Sequence, residues 1–274
     1  MLDIHVHLGR IGPVHERPAC TLSVQQLVNH MDREGVRYSV LLPLESPEAV
    51  SGYWTTEEAM EAWALYPERL IPFVAADPRM AGAAEQVEYF AQRGCRGFGE
   101  HKTGLAFDDP RSMRLYAICH ELGWPLLFHS DPEINADEVG LPRLERCLQE
   151  LPNAKFIGHG PGFWSAISAD DDRAGGYPTG PIKAGGAVDR LLGEYPNLYA
   201  DISAGSGHNA LTRDAGHAGE FIERHWRKLL FGTDYLRPHQ DLPQFQWLRE
   251  EAPVDDEQRD AIAWGNAAAL LGLA

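Results

Sequence analysis

The chain has 274 residues, 44% of them hydrophobic and 23% charged, with a formal net charge of −16. This is ordinary globular usage, which argues against global disorder, and the length suits one α/β barrel of about 250 residues. The acidic balance leaves no positive footprint for nucleic acid and no polybasic patch for a membrane surface.

The opening residues, Met1-Leu2-Asp3-Ile4-His5, carry no basic region and no long apolar run, so no signal peptide is expected. No stretch reaches the roughly 18 apolar residues of a membrane span. The four cysteines, Cys20, Cys95, Cys119 and Cys147, form no paired motif and read as reduced, mostly buried thiols. Together these features point to a cytoplasmic enzyme acting on a small molecule, with no nucleic-acid or membrane partner.

Short apolar runs recur along the chain, each followed by a helical pattern. The predicted strands are Leu2–His7, Tyr38–Leu42, Leu70–Ala75, Cys95–Lys102, Pro125–His129, Ala154–His159, Leu198–Ile202 and Lys228–Asp234. Runs of this length bounded by Gly and Pro are the pattern of buried parallel strands. The predicted helices are Ser23–Glu34, Thr56–Tyr66, Met80–Arg93, Ser112–Leu122, Leu141–Glu150, Gly186–Glu194, Gly216–Arg224 and Asp256–Leu271. Ser23 is the expected N-cap of the first, and Gly35 its stop.

Eight strand–helix units of roughly 30 residues predict a single (β/α)8 TIM barrel spanning residues 1–274. An open doubly wound sheet is the alternative. It usually offers a Gly-rich phosphate loop after the first strand, and Gly9-Arg10-Ile11-Gly12 does not fit that fingerprint. Residues 160–185, rich in Gly, Pro and Asp, are expected as a long irregular segment at the barrel mouth, either a wall of the site or an idle insertion.

His5 and His7 stand two apart in a strand, so both side chains leave one face, and two adjacent imidazoles make half of a divalent metal site. His129, His159 and Asp234 each terminate a later apolar run. The C-terminal ends of barrel strands are where such enzymes place their catalytic groups. A single strand-end histidine is ordinary; four histidines and an aspartate at that one end are a constellation.

These residues resemble the amidohydrolase superfamily, most closely its amidohydrolase-related branch. That branch includes aminocarboxymuconate semialdehyde decarboxylase and several lactonases. The resemblance runs through Asp3-Ile4-His5-Val6-His7, Phe128-His129, Gly158-His159-Gly160 and Phe231-Gly232-Thr233-Asp234 to the closing segment Gly265-Asn266-Ala267-Ala268-Ala269-Leu270-Leu271. It implies a metal held by His5, His7, His129 and Asp234, with His159 acting on substrate or water. Three nitrogens and a carboxylate suit Zn²⁺. Mn²⁺, Co²⁺ and Fe²⁺ are the other candidates, in one or two copies. Asp234 would take a proton from water and return it to the leaving group, and His159 would orient that water or stabilise the oxyanion. The resemblance also implies a dimer or larger homo-oligomer.

By alternation Glu100 and Lys102 share a face of the fourth strand and His101 takes the other. Glu100 reads as a further metal ligand, a bridge between two ions, or an outer carboxylate paired with Lys102. Lys102 itself could serve as a carboxylated bridge. Ser203, His208 and Arg213 follow the seventh strand and are expected to meet a substrate oxyanion or carboxylate; Trp164 lines the pocket or packs. His15, His30, His120, His217 and His225 read as peripheral, and Asn266 as a tie for the last helix. The expected reaction is hydrolysis of a small carboxylate-bearing ester, lactone or amide. The alternatives are non-oxidative decarboxylation and an inactive barrel used for binding.

Overall fold

The barrel starts with β1 (Leu2–Val6), in which every residue is buried, as a strand covered on both faces must be. β1 pairs in parallel with β2 (Tyr38–Leu41), and β2 with β3 (Leu70–Pro72). A second parallel run follows in chain order: β4 (Phe98–His101), β5 (Pro125–His129), β6 (Lys155–His159), β7 (Leu198–Asp201) and β8 (Leu229–Leu230).

Two seams join these runs. Val74 bridges Phe98 in parallel, with Val74 N donating to Gly97 O and Gly99 N to Val74 O. On the other side Val6 bridges Tyr235, Ile4 N donates to Phe231 O, and Asp234 N donates to His5 O. The computed structural model, which describes residues 1–11, 20–49 and 54–273, is therefore a closed (β/α)8 barrel rather than an open sheet. None of its helices is long and apolar enough to cross a membrane, among the described residues.

Leu127 and Ile157 sit two residues before His129 and His159, on the same faces of β5 and β6. They join Leu2, Ile4, Val40, Ile71 and Leu230 in an apolar plug beneath the histidines. A filled interior confines polar chemistry to the mouth. A larger apolar cluster lies between strands and helices, with Phe98, Phe128, Phe156 and Phe231 facing Val87, Leu115, Leu144, Leu191 and Phe221.

The helix signals hold where caps are strong. Ser23 caps Val24–Glu34 through a reciprocal pair with Gln26, and Gly35 ends it at φ 67°. Asn266 Nδ2 donates to Trp226 O (2.6 Å) and Leu229 O (2.9 Å), tying the last helical segment to the start of β8. Cys95, Cys119 and Cys147 are free and buried.

Several expectations need correction. The eighth strand shortens to Leu229–Leu230, although Phe231 and Asp234 still bond to β1. The first and last residues of the helix expected at Met80–Arg93 fall away, leaving Ala83–Ala91. The closing helix is three segments, Asp256–Asp260, a π-helical Ala261–Gly265, and Asn266–Leu270. Short helices occupy Pro161–Ser165, within the stretch read as irregular, and Ala204–Thr212, after the seventh strand where no helix was expected. An unforeseen antiparallel hairpin joins Gly9–Ile11 to Cys20–Leu22. Gly12 and His15 lie outside the described residues, as does the Cys20 side chain.

Candidate metal centre

The site is organised from its outer layer inward. Asp201, the last residue of β7, is fully buried. Its carboxylate lies 2.7 Å from His5 Nδ1 and 3.0 Å from His159 Nδ1. It also accepts from Ser203 Oγ (2.6 Å) and the Ser203 N–H (2.9 Å). Burial opposes its ionisation, but the charges and hydrogen bonds of His5 and His159 hold it well below the usual carboxylate range. An ionised carboxylate only accepts, so His5 and His159 carry their protons on Nδ1 and turn bare Nε2 atoms inward. His7 reaches the same orientation through another acceptor, donating from Nδ1 to the Leu42 carbonyl at 2.7 Å.

His5 Nε2 and His7 Nε2 therefore face each other at 2.9 Å. Two lone pairs that close repel unless a positive charge lies between them. Two nitrogens each about 2.1 Å from one divalent ion stand about 3 Å apart at a right angle, so the spacing fits a shared ion. Two carboxylates complete the group. Glu100 Oε2 is 3.4 Å from His7 Nε2 and 3.9 Å from His5 Nε2. Asp234 Oδ1 is 3.4 and 3.5 Å from the same two atoms. Burial works against a charged His7, but contacts with Asp234 and Glu100 outweigh it and push its pKa up to about 10. A proton there supplies the positive charge that the donor group demands.

Glu100 looks both ways. Its Oε1 is 3.2 Å from His129 Nδ1 and 4.0 Å from His159 Nε2, a second group of potential ligands. Burial opposes the Glu100 anion, but Lys102 and the surrounding histidines hold it well below the usual range. His129 Nε2 faces Asp131 Oδ2 at 3.3 Å. His101, on the opposite face of β4, packs against Phe98 and Tyr116, as alternation requires.

Access comes from one side. The His5 and Glu100 side chains are 0% and 2% exposed, whereas Asp234 is 20% and His129 12% exposed. Asp234 adopts a left-handed backbone at φ 56°, which Asp tolerates better than most residues. Its carbonyl accepts from Gln240 Nε2 (2.8 Å). The preceding Thr233 is stapled to Asp3 by its hydroxyl (2.6 Å) and N–H (3.0 Å).

A family model for amidohydrolases matches residues 3–273. The chain belongs to the amidohydrolase family. Members depend on a bound metal, and the donor set described above is of the kind they require. No curated protein sequence matches the chain. Among solved structures it is similar to a probable 2-pyrone-4,6-dicarboxylic acid hydrolase from Acinetobacter baumannii with citric acid bound (15% identity, 99% and 98% of the two chains covered, TM-score 0.66). It is also similar to an amidohydrolase from Burkholderia multivorans with bound zinc (16%, 99% and 98%, 0.67). A third is 5-carboxyvanillate decarboxylase from Sphingomonas paucimobilis (16%, 99% and 98%, 0.62). Identities this low speak for the fold, and the family of this chain rests on the sequence match.

Within this amidohydrolase the expected residues divide into groups. His5, His7, Glu100 and Asp234 converge on one point, and Glu100 with His129 and His159 on a neighbouring one. His129 thus meets the far oxygen of Glu100 rather than completing a set with His5 and His7. Ser203, expected against substrate, is buried and donates to Asp201. Trp164 is also buried, its indole N–H donating to Asp201 O at 3.0 Å, so it packs and braces β7. Arg213 donates to Asn209 (3.1 Å), its Nε is buried without a hydrogen-bond partner among the described residues, and Asp170, Asp171 and Asp214 act on it through their charge. His208 is half-buried on the helix Ala204–Thr212, where its carbonyl accepts from Thr212. Sequence reasoning passed over Asp201, Asp3 and Asp131. Asp201 ends an apolar strand just as His129, His159 and Asp234 do, so the same signal marked it.

Proposed function

We propose that this chain is a metal-dependent hydrolase of a small carboxylate-bearing ester, lactone or amide. The observation that carries this reading is the inward pair of imidazole nitrogens at 2.9 Å, flanked by two carboxylates and open toward Asp234. His5, His7, Glu100 and Asp234 would hold the first divalent ion, with Zn²⁺ the preferred candidate. His129 and His159 would meet a second through Glu100. A divalent ion bound there supplies Lewis acidity toward a carbonyl oxygen and makes water a better proton donor.

The protein's own groups do the rest. Asp234, the exposed carboxylate of the set, accepts the proton of the attacking water and returns it to the leaving group. His159, locked by Asp201 with Nε2 inward, orients the attacking water by accepting a hydrogen bond from it. Asp201 keeps both His5 and His159 in the required tautomer. Decarboxylation is the second reading, supported by the similarity to 5-carboxyvanillate decarboxylase.

The test is turnover of metal-loaded protein on 2-pyrone-4,6-dicarboxylate and on 5-carboxyvanillate, following ring opening and carbon dioxide release respectively. Hydrolysis of the lactone supports the first reading; carbon dioxide alone supports the second. Asp234→Asn should keep the fold and lose turnover by about a thousandfold or more, as loss of a proton-transfer group does. Near-normal turnover in that variant would remove Asp234 from the mechanism.

A further inference from the structure

Three imidazoles of the centre are held by an outer acceptor on Nδ1, His5 and His159 by Asp201 and His7 by the Leu42 carbonyl. His129 is mounted the other way round. Its Nδ1 faces Glu100 Oε1 at 3.2 Å, and its Nε2 faces Asp131 Oδ2 at 3.3 Å. A neutral imidazole carries one proton, so the nitrogen beside Glu100 can offer a lone pair only if the other nitrogen keeps the proton. Asp131 is the acceptor that stands at that other nitrogen.

The loop after β5 is built to hold this carboxylate still. Asp131 Oδ1 accepts from the N–H groups of Glu133 (2.8 Å) and Ile134 (2.7 Å), and Asp131 N donates to Ile134 O (3.0 Å). With Oδ1 committed to its own turn, Oδ2 is left to His129. Asn135, fully buried and left-handed at φ 43°, closes the loop. Its Nδ2 donates to His101 O (2.7 Å) and His129 O (2.8 Å). That amide cross-links the ends of β4 and β5 and fixes the His129 backbone against the strand that carries Glu100. Gly162 seats the turn after β6 on the same loop. Its N–H donates to Ser130 O at 2.7 Å, and a Cβ there would come within 2.8 Å of Asp131 Cα.

We propose that Asp131 is a positioning residue that keeps the His129 proton on Nε2 and so presents Nδ1, beside Glu100, as a metal donor. The inference rests on the reading of Glu100, His129 and His159 as a donor group, and it holds for either proposed reaction. Asp131 is then to His129 what Asp201 is to His5 and His159, and each imidazole of the centre has its own outer lock. An outer acceptor of this kind fixes both the tautomer and the ring orientation of a ligating histidine.

The test is nitrogen NMR of the histidine rings while metal-free protein is titrated with Zn²⁺, with His129→Gln assigning the His129 signals. Thermal unfolding of each variant runs in parallel. In wild type, Zn²⁺ should shift the His129 signals and leave the ring protonated on Nε2 and bare on Nδ1. Asp131→Asn keeps an oxygen for the Glu133 and Ile134 N–H groups but turns an NH₂ toward His129 Nε2, which drives the ring proton to Nδ1. This variant should keep a wild-type Tm, while the Zn²⁺ concentration that shifts His129 rises by about 10- to 100-fold, the usual effect of losing an outer partner. Asp131→Ala removes the turn acceptor as well and should lower the Tm. A zinc-saturated wild-type ring protonated on Nδ1, or on both nitrogens, overturns the proposal, as do His129 signals that ignore Zn²⁺. A zinc response weakened in Asp131→Ala but unchanged in Asp131→Asn also overturns it, because the carboxylate then serves the loop alone. Failure of both turnover assays with the His129 result intact would count against the proposed reactions and leave the positioning role standing.

Discussion

Asp201→Asn tests the internal logic of the site, because one carboxylate sets two histidines. Oδ2 takes His5, His159 and the Ser203 hydroxyl, while Oδ1 takes the Ser203 N–H at 2.9 Å. Asparagine keeps the shape but has one acceptor and one donor end. With its oxygen toward the histidines, its NH₂ meets the Ser203 N–H. With its NH₂ toward them, donor faces donor, and His5 must move its proton to Nε2, where the ion would bind. Either orientation leaves a buried donor unmet, costing about 1–3 kcal/mol. Loss of an outer partner of a metal-bound histidine typically weakens binding by about 10- to 100-fold, or about 1.4–2.7 kcal/mol. Competition against a chromophoric chelator for Zn²⁺ measures the affinity, and thermal unfolding of the metal-free variant measures the stability. A folded variant whose metal affinity stays within about twofold of wild type would refute the assignment of Asp201 as the organiser.

His7, pushed up to about 10 in the metal-free chain, is protonated at neutral pH, so metal uptake must expel about one proton per ion. Calorimetry in buffers of different ionisation enthalpy reads that proton, and zero release would contradict the arrangement. The same raised pKa means that metal-free protein holds this contribution in full below pH 6.5 and loses it as the pH rises toward about 10. Thermal unfolding against pH should show the decline in metal-free protein and not in metal-loaded protein. Gly232→Ala would place a Cβ within 2.3 Å of Asp201 Oδ1. The variant should lose about 1–3 kcal/mol of stability and bind metal more weakly, and a wild-type Tm with wild-type affinity would exclude the crowding argument.

The barrel and the meeting of these polar strand ends were legible because they follow from one periodic rule. Apolar runs ending in His129, His159 and Asp234 announce strands whose ends meet, and closure brings distant residues together without any local signal. What the residues do to one another was less legible. Ser203 and Asp201 are two apart, and nothing in their spacing says which faces substrate and which is buried as a hydrogen-bond acceptor. Asp3 looks like part of a metal motif, yet its work is to staple Thr233 across the seam between the first and last strands. Arg213 carried the chemistry of a carboxylate clamp in its side chain but not in its surroundings, which are acidic.

Charge counting decides how many ions the centre should hold. Glu100 and Asp234 supply two negative charges around His5 and His7, enough to neutralise one divalent ion. The neighbouring group offers His129, His159 and only the second oxygen of a Glu100 already committed. Asp131 is near, 3.3 Å from His129 Nε2, but on the ring nitrogen turned away from the one that meets Glu100. A second ion there would be under-neutralised in a buried setting, where unbalanced charge is costly. It would gain the missing charge from an anionic substrate or hydroxide. Titration of metal-free protein should therefore fill one site tightly and a second, where it fills at all, at least about tenfold more weakly. That gap should narrow when a dicarboxylate such as isophthalate is present. Two ions binding with equal affinity in the absence of any added anion would show that Glu100 bridges on its own charge, and the argument from charge balance would fall.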